Sequence, residues 1–139
     1  MKNNYFTTNR HACFILKYHL VVVTKYRRKI INDKIKGQLI SISHNIFEDR
    51  WGCHIIEINT DVDHIHILFE APPQVQLSKL INNFKTVSSR LLRRDNEEIR
   101  NVFNKDIFWS RSYYIGALSD TTEEVVKNYI QLQGIKKRD

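Results

Sequence analysis

Residues 13–24 read CFILKYHLVVVT, a run dense in β-branched and aromatic side chains that suits a buried strand, and the KYRRK that follows is a basic exit. Asn32 or Asp33 then caps a helix in which Ile35, Leu39, Ile42 and Ile46 recur at helical spacing, predicting an element to about residue 50 with one apolar stripe. WGCHIIEINTD reads as a second strand. After polar residues 61–63 comes HIHILFEA, a third strand so close behind that the two form an antiparallel hairpin. Pro72 and Pro73 cannot donate to a ladder and end it. Leu77, Leu80, Ile81, Phe84, Val87 and Leu91 mark a second helix whose other face carries Lys79, Lys85, Arg90, Arg93 and Arg94. Polar residues 94–105 predict a loop, and IFWSRSYYIGAL a fourth strand. Thr121 and Glu124 fit a capping box for a last helix over about 122–133, with Gly134 as its stop and KKR suited to its negative end.

The order strand, helix, strand, strand, helix, strand is the ferredoxin-like split βαβ plan: an α+β fold with an antiparallel sheet, helices on one face and a further C-terminal helix. At 139 residues, 42% of them apolar, with four glycines and two prolines, the chain predicts one domain over 1–139. No repeat or low-complexity segment interrupts it. Cys13 and Cys53 are too few and too far apart for a disulfide framework or zinc ribbon. With no signal-peptide pattern and no apolar run long enough to span a bilayer, the expected location is cytoplasmic.

Charge narrows the partner. Twenty-two lysines and arginines against fifteen acidic residues leave a formal charge of +7, and a pI near 9.5 points to a polyanion, of which nucleic acid is the commonest. Lys25, Arg27, Arg28 and Lys29, with Lys85, Arg90, Arg93 and Arg94, are the candidate phosphate contacts, and Tyr26, Trp109 and Tyr113 the candidate stacking platforms for exposed bases. A solvated helix face and core aromatics explain each residue singly as well.

Candidate chemistry lies in two places. His64 and His66 stand two apart on a strand, so both imidazoles share a face and can bind one divalent cation, although such a pair also fits surface or hydrogen-bonded histidines. Tyr129 and Gln133 lie four apart on the last helix, a candidate nucleophile one turn from a candidate hard oxygen ligand; Val125, Tyr129 and Leu132 equally make an apolar stripe. Asp61, Asp63 and Glu70 flank the histidine strand, where they can orient an imidazole or solvate the hairpin. His11, His19, His44 and His54 have no partner at ligand spacing.

Taken in order, YHLVVVTKYRRK at 18–29, DHIHILFEAPP at 63–73, LSKLINNFKTVSSRLLRR at 77–94, FWSRSYYIGALS at 108–119 and VKNYIQLQG at 126–134 resemble the successive signatures of the insertion sequence 200/605 transposases, which are HUH-class single-tyrosine enzymes. The resemblance covers nearly the whole chain. It implies that His64 and His66 are the histidine pair, Tyr129 the nucleophile and Gln133 the additional ligand of a divalent metal, Mg²⁺ or Mn²⁺, with no organic cofactor. It also implies a homodimer in which the tyrosine helix of one subunit can complete the histidine site of the other. The implied substrate is single-stranded DNA with subterminal hairpins, cleaved and rejoined through a 5′-phosphotyrosine, and no membrane is involved. A transposase-derived protein that binds DNA or RNA hairpins without chemistry would carry much the same sequence.

Overall fold

The computed structural model describes residues 7–8, 13–14 and 16–135. Eight elements matter to the site: β1 (Lys17–Val23), α1 (Asp33–His44), β2 (His54–Asp61), β3 (His64–Glu70), α2 (Leu77–Asp95), α3 (Glu97–Val102), β4 (Tyr114–Ala117) and α4 (Glu123–Ile135). The four strands form one sheet in the order β2-β3-β1-β4, each neighbouring pair antiparallel. That is the ferredoxin-like order, with β1 and β3 central.

Strand alternation divides the central pair between two faces. Leu20 and Val22 of β1 and Ile65, Ile67 and Phe69 of β3 point to one side, where they are completely buried against Ile35 and Leu39 of α1 and Leu80, Ile81 and Phe84 of α2. Phe47 meets Phe69 and Phe84 edge-on at 5.0 and 5.5 Å between ring centroids, an arrangement that adds quadrupolar attraction to burial. Val21 and Val23 point to the other side and pack with Ile130, Val126 and Tyr129, so α4 lies on the face opposite α1 and α2.

Local chemistry explains most of the element ends. Asn32 caps α1, its Oδ1 accepting the Ile35 N–H at 2.9 Å. Beyond His44 the helix widens into a π-helical turn, Asn45–Arg50. Gly52, at φ 70°, turns the chain towards β2.

Four expectations are revised. The first strand begins at Lys17; Cys13–Phe14 belongs to a separate two-residue ladder with Thr7–Thr8. Residues 94–105 are not simply a loop but hold α3, with Ile99 completely buried. The fourth strand is confined to Tyr114–Ala117, because Phe108, Trp109 and Ser110 are consecutively buried and consecutive burial breaks the two-residue alternation of a strand. Finally, Thr122 rather than Thr121 caps α4, its hydroxyl accepting the Val125 N–H at 3.2 Å, and the helix passes through Gly134 to Ile135. The KKR that was expected to suit its end lies outside the described residues, as does His11. Among the described residues no helix is long and apolar enough to cross a membrane.

Phe84 joins the two aromatic layers, touching Phe47 and, at 6.1 Å, Trp109. Its replacement by alanine removes a whole ring from a close-packed site and should cost about 3–5 kcal/mol of unfolding free energy, read from the shift in urea midpoint at unchanged slope.

Candidate active site

The alternation that buries Ile65 and Ile67 puts His64 and His66 on the α4 face, half-buried. Each imidazole has one nitrogen engaged. His64 Nδ1 donates to Asp63 Oδ1 at 2.8 Å, which leaves the lone pair of a neutral ring on Nε2. Asp63 is only 4% exposed, and its other oxygen accepts Arg27 Nε, also at 2.8 Å. Burial alone would raise its pKa, but the hydrogen bonds from His64 and Arg27 outweigh it and hold the carboxyl below the ordinary aspartate range. Asp63 is therefore an orienting group rather than a solvated hairpin residue.

Arg27 reaches Asp63 through an unusual turn. Tyr26 and Arg27 have φ of 57° and 56°, two successive non-glycine residues in the left-handed region, a conformation that costs about 1–3 kcal/mol per residue. Thr24 ties the turn at both ends: its N–H donates to the Asp63 carbonyl at 2.9 Å and its hydroxyl to the Arg28 carbonyl at 2.7 Å.

His19 also reaches this face. Its Nδ1 lies 2.6 Å from His66 Nε2, and the rings are 4.8 Å apart. Nothing in linear spacing pairs the two; the register of β1 on β3 sets Val21 opposite His66 and brings His19 in from the next same-face position. Burial lowers the pKa of both rings, for His66 with the neighbouring histidines adding to the effect and Glu57 opposing it. Both are neutral near pH 7, the form in which imidazole ligates a metal. His19, Arg27, His64 and His66 line one wall of a cleft of about 570 Å³; the cap Thr122, with Val126, Lys127 and Ile130 of α4, lines the other.

Tyr129 and Gln133 lie one turn apart on the sheet-facing side of α4, Tyr129 packing in the cluster of Val21, Val23 and Ile130. The Tyr129 hydroxyl is 2.9 Å from Ser112 Oγ, and Gln133, 2% exposed, accepts from Ser110 and Ser112 at 3.2 Å each. Neither lines the histidine cleft of its own chain. The helix is tied to the sheet through Tyr114, whose hydroxyl lies 3.0 Å from Thr121 Oγ1. That ring crosses Gly116, where an added Cβ would stand 2.2 Å from the Tyr114 oxygen. Two imidazoles suit a divalent cation, but among the described residues no three His, Cys, Asp or Glu side chains gather as a metal site. One chain thus brings together the histidine pair and separates it from the tyrosine and glutamine.

The family profile described as "Transposase IS200 like" matches residues 12–133. The chain belongs to this family. It is 29% identical over 123 residues to the transposase of insertion sequence element IS200 from Salmonella typhimurium, spanning 88% of this chain and 80% of that one. It is 26% identical over 128 residues to the ISDra2 transposase TnpA of Deinococcus radiodurans, spanning 92% and 91%. The fold agrees with the crystal structure of a putative transposase from Deinococcus radiodurans at TM-score 0.83 and 24% identity, over 91% of this chain and 97% of the other. A REP-associated tyrosine transposase bound to a REP hairpin superposes at TM-score 0.55 and 12% identity, over 89% and 68%.

The basic residues of this IS200-like transposase fall into two groups. Arg27 lines the histidine cleft, Arg28 and Lys29 are exposed beside it, and Lys25 is buried. Lys85, Arg90, Arg93 and Arg94 of α2 line a second cleft of about 590 Å³, which Arg100 of α3 joins. Two of them brace the chain: Arg93 donates to the carbonyls of Phe103 and Ile107 at 2.9 and 3.1 Å, and Lys85 to that of Arg111 at 2.7 Å. Of the candidate stacking aromatics, Tyr26 is 45% exposed, whereas Trp109 is buried with its Nε1 donating to Ser88 Oγ at 2.9 Å and offers no face to a base. His19 and Arg100 are the residues that linear spacing misses; Asp63 was legible as a flanking carboxylate, and of the two roles open to it the structure selects orientation of His64.

Because the Asp63 pKa is lowered in the folded state, its stabilising contribution is complete above the unfolded value and disappears as pH falls through the folded one. Urea unfolding should therefore find Asp63→Asn clearly less stable than the parent at pH 7, with the gap closing below about pH 4; a gap that persists unchanged at pH 2.5 would contradict the assignment.

Proposed function

We propose that this chain is a single-tyrosine, metal-dependent transposase that cleaves and rejoins single-stranded DNA at insertion-sequence ends, recognising subterminal hairpins. The observation that carries this reading is the His64 and His66 pair, presented to a cleft and braced by a buried carboxylate, in a chain that belongs to the IS200-like family. His64, His66 and Gln133 would hold Mg²⁺ or Mn²⁺. When bound, the ion supplies electrophilic stabilisation of the charge that develops on the scissile phosphate.

The protein groups do the remainder. The Tyr129 hydroxyl gives up its proton and attacks phosphorus. An O–P bond forms to the tyrosine, the bond to the 3′ oxygen breaks, and the leaving 3′-hydroxyl takes up a proton. The 5′-phosphotyrosine conserves the energy of the phosphodiester, so a 3′-hydroxyl from another strand reverses the step and joins new ends. Arg27, fixed through Nε on Asp63, is placed beside the histidines to contact a backbone phosphate. Arg28 and Lys29 extend that contact, and Arg90 and Arg94 offer a separate one in the α2 cleft; both should weaken as salt rises. The hairpin carried by the REP-associated structure supports a hairpin ligand here too.

Tyr129 and Gln133 are bonded to Ser112 and Ser110 and do not line the histidine cleft of their own chain, which favours a site assembled by two copies, histidines from one and the tyrosine helix from the other. A hairpin-binding protein without chemistry is the second reading, favoured by that same separation.

Labelled hairpin DNA from the flanks of the gene, incubated with the chain and Mn²⁺ and resolved by denaturing electrophoresis, should give a protein-linked band. Tyr129→Phe and His64→Ala should each abolish it while hairpin binding persists; binding with no band in the parent would replace the enzymatic reading by the binding one. Mixing the Tyr129→Phe and His64→Ala variants should restore the band if each site draws on two copies, since one composite site is then intact, whereas a site built within one chain leaves none.

A further inference from the structure

The proposed chemistry leaves His19 without a task, yet it makes the closest polar contact of the histidine cleft. It stands on β1, a strand that contributes no proposed ligand, and its Nδ1 approaches His66 Nε2 to 2.6 Å, a hydrogen bond at the short end of the range for nitrogen donors. The contact crosses the central strand pair diagonally, since His19 is registered against Leu68, and Val21 against His66. His19 also faces Gly116 on β4, so its backbone is fixed by both neighbours.

We propose that His19 is a positioning residue for His66: its Nδ1 accepts the proton carried by His66 Nε2 and so leaves the His66 lone pair on Nδ1. This rests on the metal reading above. The direction follows from proton counting. Two neutral imidazoles share one hydrogen bond; if His19 were the donor, His66 would carry its own proton on Nδ1 and spend its only lone pair on His19, with none left for a cation. With His66 as donor, one lone pair remains. Asp63 does the same for His64 from the opposite ring nitrogen, accepting at Nδ1 and leaving Nε2. The two imidazoles therefore have separate braces, Asp63 from the hairpin turn and His19 from the neighbouring strand, each hydrogen bond fixing the tautomer and rotation of one ring.

The test uses the full chain and Mn²⁺ alone, titrated calorimetrically into the parent, His66→Ala, His19→Asn and His19→Leu, with thermal melts of the metal-free proteins and ¹⁵N–¹H correlation of the histidine rings. The parent should bind Mn²⁺, His66→Ala should lose that binding, and His66 of the parent should carry its proton on Nε2. His19→Leu should bind about 10–100-fold more weakly while His19→Asn, whose amide oxygen can accept the same proton, stays within about threefold of the parent. If His19→Leu binds as tightly as the parent, or His66 proves to be protonated on Nδ1, the assignment of His19 is overturned and the metal site stands. If the parent itself binds no Mn²⁺, the metal reading falls and takes this one with it. Should His19→Leu not fold, the ring tautomer of the parent and the affinity of His19→Asn still decide, an Asn variant that folds but binds ten times more weakly counting against the hydrogen bond.

Discussion

The constraint from which the rest of this structure follows is the two-residue alternation of the central strands. β1 and β3 are covered on both sides, by α1 and α2 on one and α4 on the other, and their side chains must satisfy two different layers at once. On the helical side the answer is fully apolar: Leu20, Val22, Ile65, Ile67 and Phe69. On the α4 side it is mixed, valines at one set of positions and histidines at the other. A one-residue slip of register would carry His64 and His66 into the aromatic core and Ile65 and Ile67 out of it. The burial that stabilises the sheet thus also fixes which way the imidazoles face.

The cleft is stiffened from behind by Asp63. A buried carboxylate is costly unless both its oxygens are engaged, and here one takes the His64 imidazole and the other the Arg27 guanidinium. The left-handed Tyr26 and Arg27 are the conformational cost of bringing that guanidinium over the hairpin, offset by the Thr24 bonds to the Asp63 and Arg28 carbonyls. The strained KYR turn, the aspartate and the histidine form one unit assembled from segments 36 residues apart.

The last helix stands in a different relation to the site. Val126 and Ile130 close the cleft from above with apolar surface, while Tyr129 and Gln133 are held by Ser110 and Ser112 of the segment leading into β4. One turn of helix separates the tyrosine from the glutamine, so the two move together wherever α4 goes. Tyr114, crossing Gly116 to reach Thr121, marks where the helix is fastened to the sheet.

Much of the fold was legible in linear order, because strand and helix periodicities are local and the core is built from their apolar faces. The two helices, the hairpin, the HxH pair and the tyrosine-bearing last helix could all be read this way. Legibility ended where burial overrode period: Phe108, Trp109 and Ser110 are buried in succession, so an aromatic-rich run that reads as strand is mostly irregular, and Trp109 belongs to the core. Capping also depended on context, since Thr121 is drawn to Tyr114 and the Ala117 carbonyl, leaving Thr122 to cap α4. The sequence by itself determined the residue types, their faces and the family. Only the tertiary structure decided that His19 meets His66, that Asp63 is buried between an imidazole and a guanidinium, and that Tyr129 bonds to Ser112 rather than lining the cleft of its own histidines. Those relations depend on strand register and helix docking, which bring together residues that no local period connects.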